Sequence, residues 1–537
     1  FVGVADKGAA GLYRSDDAGM SWKKVPGGPG PELLPGQGQF DAKTGKLYIT
    51  YADSMGPYGA SKGAVFQYDV KTGAWTDITP PKKAAYMGLA LDARKPGTLV
   101  VATLDLDDTS GDSIYRSTDG GAHWVDLRPL SKRDVSSVPW LLWGKEEAKF
   151  GWWITGIAID PFDSERAAYT TGATIYATDH LSRSEKGEEL LWKPWVEGVE
   201  QTAVLTLAGP KEGAHLISGF GDIGGFTHSD LAAATMMHTN PIFVNTNTID
   251  IAGQNPAVIV RSGSHEAHAR VKTATLGYST DYGKTWQPLF APPPAGYTVR
   301  APEDIPYNFS DPYIDAAIIT AADGKTFMVM IPDGPVITTD LGQSWIKVKG
   351  LPPRARPVAD KVDPKRFYAL DFATGRVFLS VDGGASFQPQ KTKGLSVTAA
   401  DDPFAGSGWP PVRERPWPLI SADEKAGELW LIHQGRLYRS TDGGAHFAKV
   451  KSDLDVRIID FGKAAPGAQE LAMYALGSKG GVFAIWQSLD RGAHWTRIND
   501  ADSEYCRMFR AIAADKKVFG RVYVGIDGRG IVYGEPK

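Results

Sequence analysis

One carboxylate, Asp222, lies among closely spaced glycines in the segment LISGFGDIGGFTHSDL (216–231). Gly219, Gly221 and Gly224 match the pattern G-x-G-x-x-G, which can indicate a loop that cradles a phosphate. A nucleotide loop of that kind needs a preceding strand and a following helix within a βαβ unit. Strand-like sequence dominates on both sides here, which favours a turn that presents one acid to a substrate. A purely structural turn remains a third interpretation.

Aromatic side chains are the second group of candidates. Four tryptophans cluster in PWLLWGKEEAKFGWW, and two more lie in the proline-rich segment GSGWPPVRERPWP. They are Trp140, Trp143, Trp152, Trp153, Trp409 and Trp417. Indole faces can stack on sugar rings and bury the apolar C–H surface of the sugar. The same rings can equally pack a contact between domains, so both interpretations stay open.

Metal and nucleophile chemistry find little support in the sequence. His265 and His268 form the pair HEAH, but no third ligand accompanies them in a segment that is otherwise strand-like. Cys506 is the only cysteine, which rules out an intrachain disulfide and a thiolate zinc site. Neither a G-x-S-x-G elbow nor a Walker loop is visible. We therefore expect no metal and no cofactor.

Composition excludes several other classes. The formal charge of −4 gives no basic surface for nucleic acid. Apolar runs stay well short of the ~20 residues that span a membrane. The chain has 537 residues with 61 Gly, 36 Pro and 16 Trp, which predicts several domains rich in strands and turns.

A repeated turn motif, Ser/Thr-x-Asp-x-Gly-x-x-Trp/Phe, organises most of the chain. Its seven copies have their aspartates at Asp17, Asp119, Asp281, Asp340, Asp382, Asp442 and Asp490, and YDVKTGAWTDI (68–78) is a degenerate eighth. Each copy follows an alternating apolar run, and its Asp and Gly are turn formers. The motif is therefore predicted to be a structural hairpin, with its aromatic residue inserted between neighbouring units.

The spacing of the motif predicts β-propeller blades. Intervals of about 40–60 residues suit four-stranded blades, and longer intervals must contain blades without the motif. We divide the chain into 1–145, the blades of an N-terminal propeller, and 146–503, a C-terminal seven-bladed propeller. Residues 504–537 are expected to be closing strands that return to the N-terminal propeller.

These features together resemble glycoside hydrolase family 74, the xyloglucanases. The similarity rests on the hairpin repeats, on DIGGFTH, on AIDPFDSERAAYTTGATIYATDHL and on the ending GRVYVGIDGRGIVYGEP. It implies an all-β fold of two tandem seven-bladed propellers with a substrate groove between them, the first propeller being incomplete in this sequence. It also implies a general acid at Asp222. The family's general base lies in a turn that has no counterpart in 1–537, so we expect it upstream of Phe1.

The function implied is an inverting endo-β-1,4-glucanase that acts on xyloglucan. An exo-acting, chain-end-specific xyloglucan hydrolase is one alternative. Another is a non-catalytic, sortilin-like propeller that binds glycan or peptide. Sortilin-like receptors carry a cysteine-rich module, so the single cysteine of this chain disfavours this alternative. The expected partner is xyloglucan or its oligosaccharides, and the expected protein is a secreted monomer.

Overall fold

A computed structural model describes residues 1–537 except 57, 105, 107–110, 200–201, 265–274, 293–316, 332–333, 353–354, 403–418, 423–424, 505–508, 527 and 537. The described chain is built mainly of short strands and turns. It divides into two units, Phe1–Gly198 and Val199–Lys537. Four short 3-10 helices are described: Arg128–Leu130, Pro139–Leu142, Leu181–Lys186 and Ala399–Asp401. No described helix has the length and apolar character of a membrane span. The all-β prediction is confirmed.

The first unit contains four sheets in its described residues. They are β1 (Val2–Val4), β2 (Gly11–Arg14) and β3 (Lys23–Lys24); β4 (Leu34–Asp41), β5 (Lys46–Ala52), β6 (Gly63–Asp69) and β7 (Trp75–Asp77); β8 (Ala85–Leu91), β9 (Leu99–Leu104), β10 (Ile114–Ser117) and β11 (Val125–Asp126); and β12 (Ser131–Arg133), β13 (Ile157–Asp160), β14 (Asp163–Thr170), β15 (Ile175–Thr178) and β16 (Leu190–Pro194). Each sheet packs against the next one along the chain. Pairing is antiparallel except between β12 and β16, which run parallel.

The second unit contains seven sheets in its described residues. They are β17 (Val204–Ala208), β18 (Leu216–Phe220) and β19 (Gly225–His228); β20 (Asn245–Ile251), β21 (Ile259–Ser264), β22 (Leu276–Ser279) and β23 (Gln287–Leu289); β24 (Ala317–Thr320), β25 (Phe327–Met330), β26 (Val336–Thr338) and β27 (Ile346–Lys347); β28 (Arg356–Ala359), β29 (Phe367–Asp371), β30 (Arg376–Ser380) and β31 (Gln388–Pro389); β32 (Leu419–Ser421), β33 (Leu429–His433), β34 (Arg436–Ser440) and β35 (Ala448–Lys449); β36 (Asp455–Gly462), β37 (Ala472–Lys479), β38 (Val482–Ser488) and β39 (Thr496–Arg497); and β40 (Phe509–Ala514), β41 (Val522–Ile526) and β42 (Gly530–Gly534).

These seven sheets form a closed ring. Each packs against its successor, and β40 of the last sheet packs against β17 of the first. Polar contacts reinforce the closure, because the Lys517 ammonium donates to the carbonyls of Gly213 and Ala214 at 2.9 and 2.5 Å. The second unit is therefore a seven-bladed propeller.

The division predicted from the sequence differs from this one. Residues 146–198 lie in the first unit, because Tyr169 and Trp192 share a hydrophobic cluster with Val100 and Ile114 of the preceding sheet. The strands after residue 504 complete the ring of the second unit instead of returning to the first. The sheets at both ends of the ring lack the repeated turn, so the motif gave no marker for where the ring begins and ends.

The repeated turn is the hairpin predicted. Every copy joins the last two strands of its sheet, as between β10 and β11 or β38 and β39. In all seven copies the Ser or Thr hydroxyl donates to the Asp Oδ1 at 2.7–2.9 Å. The indole of Trp124 donates 2.8 Å to the carbonyl of Ile78, and that of Trp345 donates 3.0 Å to the carbonyl of Phe290. Both acceptors directly follow the last strand of the preceding sheet, so these two indoles link neighbouring sheets, whereas the indole of Trp22 donates to the carbonyl of Gly19 within its own turn.

The carboxylates of these turns are held in their ionised form. The hydrogen bond from the Ser21 hydroxyl lowers the pKa of Asp17 to about 2, and the one from Ser344 does the same for Asp340. The backbone N–H of His123 is the main cause of the pKa of about 2 at Asp119. A carboxylate that keeps its charge down to this pH cannot serve as a proton donor near neutrality, which supports the structural role.

Candidate active site

Asp222 stands at the tip of a tight hairpin loop between β18 and β19. The loop closes where the N–H of Phe220 donates 2.7 Å to the carbonyl of Gly224. Asp222 adopts a left-handed backbone conformation, with φ at 68°, and its side chain is exposed. Asp is one of the few residues besides Gly that adopts this region readily. The loop therefore presents a single carboxylate to solvent from a fixed backbone.

The glycines of this segment serve the hairpin. Gly224 also has a positive φ, 67°, and a Cβ at Gly225 would lie 2.5 Å from the carbonyl oxygen of Ser218 on the paired strand. The segment that follows is strand β19, antiparallel to β18. The helix that a dinucleotide-binding loop requires is thus replaced by a strand, and the nucleotide interpretation is wrong.

Neighbouring segments hold the loop from both sides. The N–H of Gly221 donates 2.8 Å to the carbonyl of Ala203, and the N–H of Gly224 donates 3.0 Å to the carbonyl of Val244. The N–H of Asp222 donates 3.1 Å to the side-chain oxygen of Asn245. Three backbone groups of the loop are therefore paired outside it, which limits how far Asp222 can move.

Two histidines lie close to this hairpin, His228 at the end of β19 and His238 beside Thr227 of the same strand. Neither was identified as a candidate from the sequence. His228 Nε2 lies 2.7 Å from the Ser218 hydroxyl, and burial lowers the pKa of His228 to about 4. His238 Nε2 lies 2.9 Å from the Thr227 hydroxyl, and burial likewise lowers its pKa. Both imidazoles are neutral near neutral pH, which leaves Asp222 as the exposed acid of this hairpin.

A buried arginine packs beside the same blade. The Arg261 guanidinium lies 4.2 Å from the ring centre of Phe243 and 4.6 Å from that of Trp286. Burial lowers its pKa to about 9, so it remains charged at neutral pH. An arginine in a strand gives no sequence signal for such a position, because only the fold places it between two rings.

The first unit holds the predicted tryptophan cluster. Trp140, Trp143, Trp152 and Trp153 are all half-buried and form a continuous series of ring contacts. Their successive ring centres are 6.3, 5.5 and 6.1 Å apart. Tyr58 extends the series, 5.0 Å from Trp153. Half-burial fits both interpretations, since one part of each ring packs and another part faces solvent.

A buried carboxylate fixes the end of this series. Asp112 Oδ2 accepts the backbone N–H of Trp153 at 2.6 Å, and its Oδ1 accepts the Thr103 hydroxyl at 2.8 Å. Trp153 has a φ of 59°, which is unfavourable for a bulky side chain. Burial raises the pKa of Asp112 despite these hydrogen bonds. Sequence reasoning missed Asp112, because its partner lies 41 residues further along the chain.

Comparisons with known proteins agree with this architecture. The BNR/Asp-box repeat model matches residues 278–288. A Paenibacillus protein named xyloglucanase is 38% identical over all of this chain and 51% of its own length. A probable oligoxyloglucan-reducing end-specific xyloglucanase of Neosartorya fischeri is 34% identical over all of this chain and 72% of its own. The crystal structure of the GH74 xyloglucanase from Xanthomonas campestris superposes with a TM-score of 0.84 at 32% identity, covering 100% of this chain and 71% of that one.

The chain belongs to the GH74 xyloglucanase family. It spans about half the length of the Paenibacillus relative. The resemblance drawn from the hairpin repeats and the DIGGFTH turn is confirmed, and with it the propeller fold.

The remaining predicted residues of this GH74 chain are outside the described structure. They are Trp409, Trp417, His265 and His268. Within the described ranges, no group of three or more His, Cys, Asp or Glu side chains is placed to hold a metal ion.

Replacing Trp153 by Ala separates sugar stacking from packing. If the ring stacks on a sugar, affinity for long xyloglucan oligosaccharides should weaken by about 1–3 kcal/mol, the scale of aromatic stacking contacts. Calorimetric titration of the folded variant measures this loss. Trp195, which is 64% exposed in the same unit and outside the cluster, gives the matched control Trp195→Ala, with affinity unchanged. A lower unfolding temperature with unchanged affinity would show that Trp153 only packs.

Proposed function

We propose that this GH74 chain belongs to an inverting endo-β-1,4-glucanase that cleaves xyloglucan, with Asp222 as the general acid. The observation that supports it most is the exposed carboxylate at the tip of a braced, glycine-flanked hairpin. Family membership supplies the chemistry, since GH74 relatives carry the name xyloglucanase. Small neighbours at the tip leave room for a bulky polymer to approach the acid.

In this mechanism Asp222 gives its proton to the glycosidic oxygen as the bond to the anomeric carbon breaks. A second carboxylate removes a proton from a water molecule, which attacks the opposite face of the sugar. Inversion requires a separation of about 6.5–9.5 Å between the two carboxyl groups, so that the water fits between them. We propose that the base lies outside residues 1–537, because the family's base turn has no counterpart in them.

The tryptophans are proposed to bind the polymer. A half-buried indole is held in place by packing and still offers a face to a sugar ring. Trp140, Trp143, Trp152 and Trp153 supply four such rings within 14 residues of sequence. Trp409 and Trp417 are proposed as further contacts. The protein is proposed to be secreted, since its polymeric substrate belongs to the plant cell wall, and it is proposed to be a monomer.

An exo mode is the second candidate, and the name of the Neosartorya fischeri relative favours it. The two modes differ in how viscosity falls as reducing ends appear. Endo cleavage lowers viscosity early, while release from chain ends leaves it high until late. A non-catalytic glycan-binding propeller is the third, and it would release no reducing ends at all.

The proposed substrate gives a direct comparison of rates. We expect the full-length protein to release reducing ends from xyloglucan much faster than from carboxymethylcellulose, because the side chains of xyloglucan add contacts to the aromatic rings. Parallel assays of reducing ends and viscosity measure this at equal polymer mass. Equal rates on the two polymers would contradict the specificity, and a constant viscosity would contradict the endo mode.

A further inference from the structure

Asn245 lies at the start of β20, in the blade next to the Asp222 hairpin. Its side-chain oxygen accepts the backbone N–H of Asp222 at 3.1 Å. Its side-chain nitrogen donates 2.7 Å to the hydroxyl of Ser264. Asn245 is 5% exposed and Ser264 is fully buried. One buried amide therefore connects the backbone of the proposed acid to the interior of the neighbouring blade.

The orientation of this amide is fixed by the chemistry of its two neighbours. A backbone N–H can only donate, so the amide atom that faces Asp222 has to be the oxygen. The nitrogen then faces Ser264, whose hydroxyl accepts. The strands reinforce the arrangement, since Asn245 pairs with Ser264 across β20 and β21 and bridges Gly224 in parallel. No other orientation satisfies both ends of the side chain.

The contact falls at the residue with the unusual backbone. Asp222 holds a φ of 68°, a sparsely populated conformation that persists where the surrounding contacts hold it. Loss of the Asn245 oxygen would leave the N–H of Asp222 without this partner and free the tip to relax. A displacement of about 1 Å in a catalytic group can cost about 100-fold in rate.

We propose that Asn245 is a positioning residue for the general acid, acting through the backbone of Asp222. The proposal rests on the proposed function of Asp222. Asn245 fixes the direction in which the carboxyl group of Asp222 points, and it does not itself contact the substrate.

Asn245→Ala in the full-length protein tests this. We expect the kcat for xyloglucan to fall about 10- to 100-fold with little change in KM. The loss should be smaller on an aryl glycoside whose leaving group needs little protonation. Asn499→Ala is the matched control, because the Asn499 side-chain oxygen also accepts a backbone N–H, that of Ile485 at 2.8 Å, in a distant blade. The unfolding temperature of Asn499→Ala should fall while its kcat stays unchanged.

Asn245→Asp keeps the size and the acceptor, and it covers the case in which the Ala variant fails to fold. Its added negative charge opposes loss of the proton from Asp222, so the alkaline limb of the pH–rate profile should move to higher pH. A kcat loss in Asn245→Asp as large as that in Asn245→Ala, or equal losses on both substrates, would overturn the positioning role. If Asp222→Asn is inactive while Asn245→Ala retains full kcat, only this inference fails. Full activity of Asp222→Asn would remove the proposed function itself.

Discussion

Asp222→Asn is expected to lower kcat/KM for xyloglucan by about 10²- to 10⁴-fold, the usual contribution of general acid–base catalysis. The amide matches the carboxyl group in size but has no proton to give to the leaving oxygen. The backbone N–H of residue 222 donates to the side-chain oxygen of Asn245. This hydrogen bond does not involve the side chain of Asp222, so it should persist in the variant. Affinity for xyloglucan oligosaccharides and the unfolding temperature should therefore stay at their wild-type values. Reducing-end assays and calorimetric titration of the full-length protein measure the two quantities.

A change of leaving group tests the role of the proton. The loss in Asp222→Asn should shrink on an aryl glycoside, because a good leaving group departs with little protonation. Asp230→Asn is the matched control, since Asp230 is also exposed, follows the same hairpin and accepts only a local N–H, that of Ala232, in the described contacts. It should keep full activity. Unchanged activity in Asp222→Asn would refute the assignment of the acid.

Asp515→Ala is expected to lower the free energy of unfolding of the second unit by about 3–5 kcal/mol, the cost of removing one member of a buried charged network. Asp515 is 1% exposed and accepts the Tyr523 hydroxyl at 2.7 Å. It also accepts the N–H groups of Lys517 and Val518 at 2.7 and 2.9 Å. The variant leaves these donors unpaired beside the contact that closes the ring. Urea unfolding followed by tryptophan fluorescence measures the change.

The same substitution has a predictable pH dependence. Burial would raise the pKa of Asp515, but the hydrogen bond from Tyr523 and those from the two N–H groups hold it below its ordinary value of 3.8. The contribution of the Asp515 carboxylate to the free energy of unfolding is therefore complete above pH 3.8. It disappears as the pH falls through the lower pKa that Asp515 has in the folded state. The difference in the free energy of unfolding between Asp515→Ala and the wild type should therefore become smaller in acid. Asp502→Asn, at an exposed position, is the control and should leave the free energy of unfolding unchanged.

The parts of the fold that follow local rules were predictable from the sequence. The turn motif of Asp119 carries its own partners, since the hydroxyl of Ser117 and the N–H of His123 lie within four residues of it. The exposed acid at Asp222 was equally visible, because flanking glycines mark a tight turn. The tryptophan pair at 152–153 drew attention by composition alone.

The rest depends on contacts between distant segments. Asn245 lies 23 residues from Asp222, and Asp112 lies 41 from Trp153, so neither pairing has a local signal. The extent of the ring was mispredicted for the same reason. Its end sheets have three strands and no repeated turn, and only their packing against each other identifies them as neighbours.

The contact that closes the seven-sheet ring also affects the order of events during synthesis. Lys517 reaches carbonyls that lie 303 and 304 residues earlier in the chain. A ribosome adds about 5–20 residues per second, so the first sheet waits roughly 15–60 s for its closing neighbour. Throughout that interval the face of β17 that β40 covers is open to other nascent chains. We therefore expect the yield of this protein to depend on translation speed and on chaperones that shield that face.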